Sequence, residues 1–519
     1  MSSNQTKAPL FPDILSLHAK GQREKPVLIT GGKTVSWGEF EAATNRVANG
    51  LGALGFGPGD MIAVLMVNSR AMVQVLFGIM KAGACSVPIN LSVSDLAVTA
   101  MIRDSGASAI FASDSEADRI GAVIEADDLE FDGRLFAIVR ERQGWTDYAE
   151  WMNEQPAEFA GVEIPPDAPC NVIYSSGTTG QPKGILHTFR GRSDWANDVA
   201  PPFAYNSNAR TLCTIGLYSN IMWVAMLCTL LVGGTLILHE KFNPVRVLED
   251  IEALGITHTA MVPVQYQQLL DAGATREGLK SMISAITVGS KMHRDLKSRM
   301  LEVMPDALYE LYGLTEGLIT VQSPAEGAVF PDSVGHPIPG SDILILGDDG
   351  KITPPGESGE IIGWARFMMA GYLNRSEETE AAMWVDDQGR EWLRTGDIGY
   401  LDDAGSLFVV DRKKDMILSG GQNIYPQDIE AVLAAHENVD DVAVIGVKSR
   451  KWGETPIALV VSSGGQAVDT GDLKAWCNER VGRQQRIAEV ILVDALQRNP
   501  NGKLLKRELR KEFEDREYD

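Results

Sequence analysis

Residues 174–184 read YSSGTTGQPKG, and this stretch decides how the rest of the chain is interpreted. It follows the apolar run CNVIYS (170–175), which predicts a strand. Its glycines permit positive φ, and consecutive N–H groups in such a loop form a concave anion-binding surface. Lys183 adds a cation where Pro182 restricts the backbone. Because a flexible linker needs neither the preceding strand nor the lysine, the stretch predicts a phosphate-binding loop.

Two better-known glycine motifs do not account for the sequence. The P-loop pattern fails in 174–184 because the lysine precedes the last glycine and an isoleucine follows it. GLGALG (50–55) does satisfy G-x-G-x-x-G, but it ends a predicted helix (39–54) and precedes a predicted strand (61–67). A dinucleotide fingerprint needs the reverse order, so these glycines are interpreted as close packing and a helix C-cap.

Composition narrows the class of protein. The chain has 519 residues, which suggests more than one domain, and its net charge of −23 argues against nucleic-acid or anionic-membrane partners. Five widely spaced cysteines without C-x-x-C disfavour a disulfide framework or a zinc site and favour the cytoplasm. The N-terminus shows no signal-peptide pattern.

One uncharged stretch, residues 221–238, has the minimum length of a membrane span. Gly233 and Gly234 interrupt it near its end, and TLIL then has the pattern of a strand. We therefore expect a buried helix, a turn and a buried strand here, and no integral membrane segment.

Alternating helices and strands up to about residue 330 predict an α/β fold with doubly wound layers. The predicted strands are 61–67, 85–90, 108–113, 135–140 and 170–175. After residue 330 frequent turns indicate a compact, mostly antiparallel, β-barrel-like subdomain. After Asp411 helices and strands alternate again, which predicts a small α+β C-terminal domain. The predicted division is 1–410, a hinge at 411–414, and 415–519.

The loop and its neighbours resemble the adenylate-forming superfamily of acyl-CoA synthetases, adenylation domains and beetle luciferases. The resemblance continues in order over nearly the whole chain. The matching blocks are KAGACSVPIN (81–90), YGLTE (312–316), GEIIGWARFMMAGYLN (359–374), RTGDIG (394–399), DRKKDMILSGGQNIYPQDIE (411–430), KWGE (451–454) and NPNGK (499–503).

The resemblance implies a two-step reaction that uses ATP, Mg²⁺ and coenzyme A. A carboxylate attacks the α-phosphate of ATP to give acyl-AMP and pyrophosphate, and a thiol then displaces AMP. Because both reactants of the first step are anionic, catalysis must come mainly from charge neutralisation and positioning.

The resemblance also implies the ATP-binding residues. Thr178, Thr179 and Lys183 would bind the β- and γ-phosphates, Thr315 the α-phosphate, and Glu316 the Mg²⁺. Tyr312 would pack on adenine, and Asp397 and Arg412 would bind the ribose. The full expected set is Ser175, Ser176, Gly177, Thr178, Thr179, Gly180, Lys183, Tyr312, Gly313, Thr315, Asp397 and Arg412.

Lys503, on the turn NPNGK, resembles the lysine that reaches the carboxylate and α-phosphate during adenylation. Two functional lysines in different domains imply a domain rotation, for which Lys414 is the matching hinge position. After rotation, Gly420 and Gly421 would give space to the pantetheine arm of CoA.

The acyl pocket is expected at the segments 216–223 and 287–292, with Tyr218, Ser219, Trp223, Gly289 and Ser290. GLYSNIMW contains no acid that could pair an α-ammonium group, which disfavours amino acids as substrates. Where many relatives have a histidine, this chain has Ser219. Trp223 is either a gate of the acyl tunnel or a core residue. The apolar residues favour an aliphatic or aromatic acid without fixing its size.

The leading interpretation is an AMP-forming acyl-CoA synthetase whose small-molecule partners are a carboxylic acid without an α-ammonium group, ATP and free CoA. The alternative within this chemistry is an acyl-AMP ligase that loads a carrier protein. A luciferase-like oxygenase or a non-catalytic nucleotide-binding relative is the alternative of another class. The sequence leaves the oligomeric state open, including a homodimer.

Overall fold

The computed structural model describes residues 8–126, 129–138, 142–159, 161–175, 182–419, 422–463, 468–483, 485–498, 504–513 and 516–518. Its helices are α1 (Phe11–Gly21), α2 (Trp37–Ala53), α3 (Arg70–Lys81), α4 (Asp95–Ser105), α5 (Asp114–Glu125), α6 (Tyr148–Asn153), α7 (Phe189–Val199), α8 (Asn220–Leu231), α9 (Pro244–Leu254), α10 (Pro263–Asp271), α11 (Arg294–Val303), α12 (Pro324–Val329), α13 (Ser376–Ala381), α14 (Pro426–Ala434), α15 (Thr470–Asn478) and α16 (Lys506–Lys511).

The strands up to residue 322 are β1 (Pro26–Thr30), β2 (Lys33–Ser36), β3 (Met61–Leu65), β4 (Cys85–Pro88), β5 (Ala109–Ala112), β6 (Arg134–Ala137), β7 (Thr146–Asp147), β8 (Pro169–Ser175), β9 (Lys183–Thr188), β10 (Arg210–Cys213), β11 (Thr235–Leu238), β12 (His258–Met261), β13 (Ser284–Val288), β14 (Leu308–Gly313) and β15 (Ile319–Gln322). Those after it are β16 (His336–Pro337), β17 (Ser341–Leu346), β18 (Gly359–Ala365), β19 (Gly371–Tyr372), β20 (Met383–Val385), β21 (Glu391–Leu401), β22 (Leu407–Arg412), β23 (Ile417–Ser419), β24 (Gln422–Ile424), β25 (Val439–Ser449), β26 (Gly453–Ser462), β27 (Val490–Leu492) and β28 (Glu517–Tyr518).

Two large sheets carry the N-terminal region. Sheet A has the order β16-β15-β14-β13-β12-β10-β11-β1-β2, and sheet B has the order β19-β9-β8-β4-β3-β5-β6-β7. Their centres are parallel, whereas the β14–β15, β1–β2, β8–β9 and β9–β19 pairs are antiparallel. The parallel centres follow from the strand–helix alternation of the sequence, because parallel neighbours need a crossover connection.

Helices cover both faces of each large sheet. One core, with side chains from α1, α2, α3, α7 and α8, packs against strands of both sheets. The opposite face of sheet B packs on α4 and α5, and that of sheet A on α9, α10 and α11. This arrangement confirms the predicted doubly wound α/β layers.

Two further sheets lie later in the chain. Sheet C has the order β17-β18-β21-β20, with β22 paired to β21, in the region where the sequence predicts a compact β subdomain. Sheet D has the order β24-β23-β26-β25-β28, with β27 paired to β26, and it packs with α14 and α15. Sheet D with its helices is the α+β unit predicted for the C-terminal region.

The uncharged stretch 221–238 folds as predicted. It forms most of α8, a turn with Gly233 at φ +72°, and the fully buried strand β11. Within the described ranges, no helix is long and apolar enough to cross a membrane. The glycines at 50–55 also fold as interpreted, because Gly50 lies in α2 against the ring of Trp151 and Gly55 has φ +90°.

The chain divides into two compact units. One comprises Met1–Pro331, Pro337–Asp342 and Trp364–Leu393, and the other comprises Asp332–His336, Ile343–Gly363 and Arg394–Asp519. The segment 411–414 falls inside the second unit, and its role as a hinge stays a prediction.

Candidate active site

The phosphate-loop stretch is framed by an antiparallel hairpin at the end of sheet B. Ser175, the last residue of β8, is opposite Lys183, the first residue of β9. The predicted loop residues Ser176, Gly177, Thr178, Thr179 and Gly180 lie outside the described residues. Because β8 runs parallel to β4, the loop leaves from the carboxyl end of parallel strands, where open α/β sheets bind ligands.

Lys183 lies between an acid and an aromatic ring. Its ammonium group forms an ion pair with Glu378 of α13, and it lies 5.1 Å from the ring centroid of Tyr372. The ammonium, with Arg375 beside it, lowers the pKa of the exposed Glu378 carboxyl below its usual value. The ammonium group of Lys183 is therefore already paired with a carboxylate.

Glu316 is joined to the same cluster. The hydroxyl of Tyr372 donates a hydrogen bond of 2.9 Å to Oε1 of Glu316. Burial and the negative charge of Glu316 raise the pKa of Tyr372, so the phenol keeps its proton. One hydrogen bond leaves further lone pairs on the carboxylate for a cation.

Gly317, next to Glu316, allows the segment around Met368 to pack closely against it. Gly317 has φ +121°, and a Cβ there would lie 2.6 Å from the Cα of Met368. The amide of Met369 donates to the carbonyl oxygen of Glu316 over 2.8 Å, and β19 pairs Tyr372 with Ile185 of β9. The segment 367–372 thus joins the end of β14 to the hairpin that holds Lys183.

The other residues of YGLTE lie at the carboxyl end of β14. Tyr312 is half-buried and opposite Thr320 of β15, and a Cβ on Gly313 would lie 2.4 Å from the carbonyl oxygen of Leu318. Thr315 is half-exposed, and its backbone interacts with the buried ring of His187. Burial lowers the pKa of His187 well below its usual value, so this ring is neutral.

Asp397 and Arg412 form a pair within the second unit. They are opposite each other on β21 and β22, and Arg412 Nε lies 3.1 Å from Asp397 Oδ1. Asp397 is only 3% exposed, and its amide donates to Thr395 Oγ1 over 3.0 Å. A buried carboxylate held by a guanidinium remains an acceptor, as the predicted ribose contact requires.

The predicted acyl residues lie at two loops of the first unit. Tyr218 is half-buried, and Ser219 is the buried residue before α8. Trp223 is fully buried, with its indole N–H donating to the carbonyl oxygen of Leu217 over 2.9 Å. Gly289 has φ +94° and, like Ser290, is exposed in the loop after β13.

The remaining predicted residues belong to the second unit. Lys503, Gly420 and Gly421 lie outside the described residues, although Ser419 and Gln422 on either side of the glycines pair in the β23–β24 hairpin. Burial and the nearby Arg412 lower the pKa of Lys414. The carbonyl oxygen of Lys414 accepts a 3.2 Å hydrogen bond from Arg510 of α16.

Metal ligands are sparse in the part of the chain that the structure describes. That part contains no group of three or more His, Cys, Asp or Glu side chains that could hold a metal ion. Glu316 supplies one hard carboxylate, which fits Mg²⁺ because this ion commonly uses one or two carboxylates plus substrate phosphates.

Sequence reasoning did not identify Tyr372 or Glu378 as parts of the site. Tyr372 lies within a matching block, 359–374, but only its strand pairing with β9 places it beside Glu316 and Lys183. A tyrosine in a short segment carries no signal for such a contact.

Comparison with known proteins identifies the family of the chain. The family described as AMP-binding enzyme matches residues 15–373, and the family described as AMP-binding enzyme C-terminal domain matches residues 428–503. The chain therefore belongs to the AMP-binding enzyme family, as an AMP-forming acid–thiol ligase of the acyl-CoA synthetase type.

Individual relatives match along nearly their whole lengths. The chain is 34% identical over 490 residues to a feruloyl-CoA synthase of Amycolatopsis, covering 93% of this chain and 95% of that protein. It is 30% identical to a fatty acid–[acyl-carrier-protein] ligase of Streptomyces coeruleorubidus, covering 96% and 95%. The o-succinylbenzoate CoA synthetase structure from Bacillus subtilis, with its acyl-adenylate, has a TM-score of 0.83 at 30% identity and covers 96% and 98%.

Proposed function

We propose that this protein activates an aliphatic or aromatic carboxylic acid with ATP and transfers the acyl group to CoA. The observation that carries the proposal is the cluster of Lys183, Tyr372 and Glu316 at the mouth of the phosphate-loop hairpin. The cluster combines a cation for the phosphates with a carboxylate for Mg²⁺. Both lie near the carboxyl ends of parallel strands, β8 in sheet B and β14 in sheet A.

In the first step an oxygen of the substrate carboxylate forms a bond to the α-phosphorus of ATP. The bond between that phosphorus and the bridging oxygen breaks, and pyrophosphate leaves. Lys183 and the loop 176–180 hold the departing phosphates, and Thr315 donates to the α-phosphate. Mg²⁺ held at Glu316 would neutralise phosphate charge. Tyr372 fixes the Glu316 carboxylate by its hydrogen bond.

The nucleoside and the second lysine complete the first step. Tyr312 packs on adenine, with Gly313 leaving room beside it, and Asp397 accepts from the ribose hydroxyls while paired with Arg412. Lys503 supplies a second cation to the reacting carboxylate and α-phosphate.

In the second step the CoA sulfur forms a bond to the acyl carbonyl carbon, and AMP leaves with the electrons of the broken C–O bond. Lys414 is the proposed pivot between the two steps, and Gly420 and Gly421 are the proposed lining of the CoA tunnel. The proposal includes a hinge at 411–414 between an N-terminal domain (1–410) and a C-terminal domain (415–519).

The substrate class is supported by the acyl segments. Tyr218, Ser219 and Trp223 on one side, and Gly289 and Ser290 on the other, offer no acid to an α-ammonium group. The names of the relatives include both an aromatic acid and fatty acids. The five cysteines are free thiols, which is compatible with a cytoplasmic enzyme.

A panel of acids with ATP, Mg²⁺ and CoA tests the proposal, with pyrophosphate release and acyl-CoA mass as readouts. We expect both products from a narrow group of aliphatic or aromatic acids and neither from amino acids. Absence of pyrophosphate release with every acid of a panel that spans straight chains, aryl acids and dicarboxylic acids would contradict adenylation.

A carrier protein is the second candidate acceptor, because one relative at 30% identity is named a fatty acid–[acyl-carrier-protein] ligase. Free CoA and a phosphopantetheinylated carrier protein, supplied in parallel with the same acid, separate the two. If both reactions release pyrophosphate but only the carrier protein becomes a thioester, the acceptor is the carrier protein and not CoA.

A further inference from the structure

Arg192 is a buried cation beside the predicted acyl pocket. It lies on α7, one turn before Trp195, and is only 1% exposed. Its guanidinium lies 4.6 Å from the ring centroid of Trp195 and 5.3 Å from that of Trp223. Trp223 is one of the residues predicted for the acyl pocket, so Arg192 packs directly against a predicted pocket residue.

The polar partners of Arg192 are neutral. Its Nε donates to Asn171 Oδ1 over 2.7 Å, and its Nη2 donates to Asn220 Oδ1 over 2.9 Å. Among the described residues no carboxylate forms an ion pair with it. Burial lowers the pKa of Arg192 to about 9, which expresses how unfavourable its charge is in this environment.

The other buried cations among the described residues each pair with a carboxylate, unlike Arg192. Lys81 is 3% exposed and pairs with Glu41 at 2.5 Å, and Lys297 is 2% exposed and pairs with Glu310. A fully buried cation is ordinarily paired, because desolvation of an isolated charge is costly. The two tryptophan rings compensate Arg192 only in part.

Asn220, which accepts a hydrogen bond from Arg192, lies in the segment 216–223 that is predicted to line the acyl pocket. It is the half-buried first residue of α8, immediately after Ser219. Because Arg192 occupies its carbonyl oxygen, the amide group of Asn220 is held with its N–H₂ side turned away from Arg192. The N–H₂ group of Asn220 is therefore the part of this side chain left for a ligand, with the positive charge of Arg192 on its other side.

We propose that Arg192 and Asn220 determine acyl specificity, and that the preferred acid carries an anionic oxygen group, a second carboxylate, at the end remote from the reacting carboxyl. This inference rests on the proposed function and narrows its substrate class. Asn220 contacts the remote group, and Arg192 is a positioning residue that orients Asn220 and supplies the compensating charge. A site built to pair a polar group discriminates strongly against an analogue that lacks it.

The test compares matched acids, each monocarboxylic acid with the dicarboxylic acid of the same length, in both straight-chain and arylpropionate series. The measured quantity is the ratio of kcat/KM within each pair by pyrophosphate release. For the wild type we expect the dicarboxylic acid to be preferred by about tenfold or more in at least one pair.

Two variants and one control make the test specific. Arg192→Gln removes the charge, and Asn220→Asp supplies the missing anion; both should lower the preference at least about tenfold, mainly through the KM of the dicarboxylic acid. Asn220→Asp should also raise the melting temperature. Arg190→Gln, on the same helix, should leave the ratio unchanged.

If Arg192→Gln lowers kcat/KM equally for both acids of each pair, Arg192 has only a structural role. A wild-type preference for the monocarboxylic acid in every pair would overturn the proposal. If no acid releases pyrophosphate, adenylation has failed, and calorimetric binding of the same acids decides this inference separately. Stronger binding of a dicarboxylic acid by the wild type than by Arg192→Gln would support it, and equal binding would refute it.

Discussion

The phenol of Tyr372 donates a 2.9 Å hydrogen bond to Oε1 of Glu316, although the two residues are 56 positions apart in the chain. The ring of the same tyrosine lies beside the ammonium group of Lys183. One side chain thus orients the proposed magnesium ligand and packs against the proposed phosphate ligand.

Replacing Tyr372 by phenylalanine keeps the ring and removes the hydrogen bond. Because a hydrogen bond to a charged group contributes about 1.5–3 kcal/mol, we expect kcat/KM for ATP to fall about tenfold or more. The Mg²⁺ concentration for half-maximal pyrophosphate release should rise. Tyr400→Phe, a tyrosine stacked on Phe408, is the matched control and should leave both quantities unchanged. An unchanged Mg²⁺ dependence in Tyr372→Phe would remove Tyr372 from the metal site.

In the proposed site, Glu378 competes with the phosphates of ATP for Lys183. Exposed ion pairs contribute about 0–1 kcal/mol, so Glu378→Gln should bind ATP up to about fivefold more tightly. Equilibrium titration with ATP at two salt concentrations measures this, and the difference from wild type should shrink at high salt. Glu377→Gln, the neighbouring acid of α13, serves as the control. Weaker ATP binding in Glu378→Gln would mean that the pair helps to position Lys183.

Lys503→Ala should abolish formation of the acyl-adenylate and spare thioester formation from supplied acyl-adenylate. The reason is that in the proposed mechanism this lysine neutralises charge only in the first step. Separate assays of pyrophosphate release and of acyl-CoA formation from synthetic acyl-adenylate provide the measurement. Lys511→Ala, an exposed lysine paired with Glu508 in α16, is the control. Equal loss of both steps would refute the assignment of Lys503 to adenylation alone.

Acidification should destabilise the first unit through His258. This residue of β12 is fully buried and stacks on Tyr205, and burial lowers its pKa to about 4. Between its ordinary pKa of about 6.5 and this value, the unfolded chain binds a proton that the folded chain does not. The free energy of unfolding therefore falls as pH falls through this window, by about 1.4 kcal/mol per pH unit.

Urea unfolding at pH 8, 6 and 5 tests this prediction. His258→Gln should lose less stability than the wild type between pH 6 and pH 5. The comparison at pH 8, where the imidazole is neutral in both states, gives the effect of the substitution itself. Parallel pH dependences in the two proteins would show that His258 titrates normally when folded.

Much of the fold could be predicted from local patterns. The helix–turn–strand of 221–238 and the strand–loop–Lys183 order follow from apolar periodicity and glycine positions, because these depend on neighbouring residues. The same holds for the parallel layers, since strand–helix alternation leaves few other topologies. The chemistry of the site was carried by motifs with fixed residue types, such as YGLTE.

Only the tertiary structure decided which side chains meet across the chain. Tyr372 reaches Glu316 because β19 pairs with β9 and Gly317 admits the backbone of Met368. Among the residues that the structure describes, Arg192 pairs with amide groups instead of an acid, because the neighbouring β8 and α8 present Asn171 and Asn220 to it, which no periodicity encodes. The sequence by itself determined the layers and the reactive residue types, because those are local properties. Contacts between distant segments depend on packing, and they set the partners and charge balance of each reactive group.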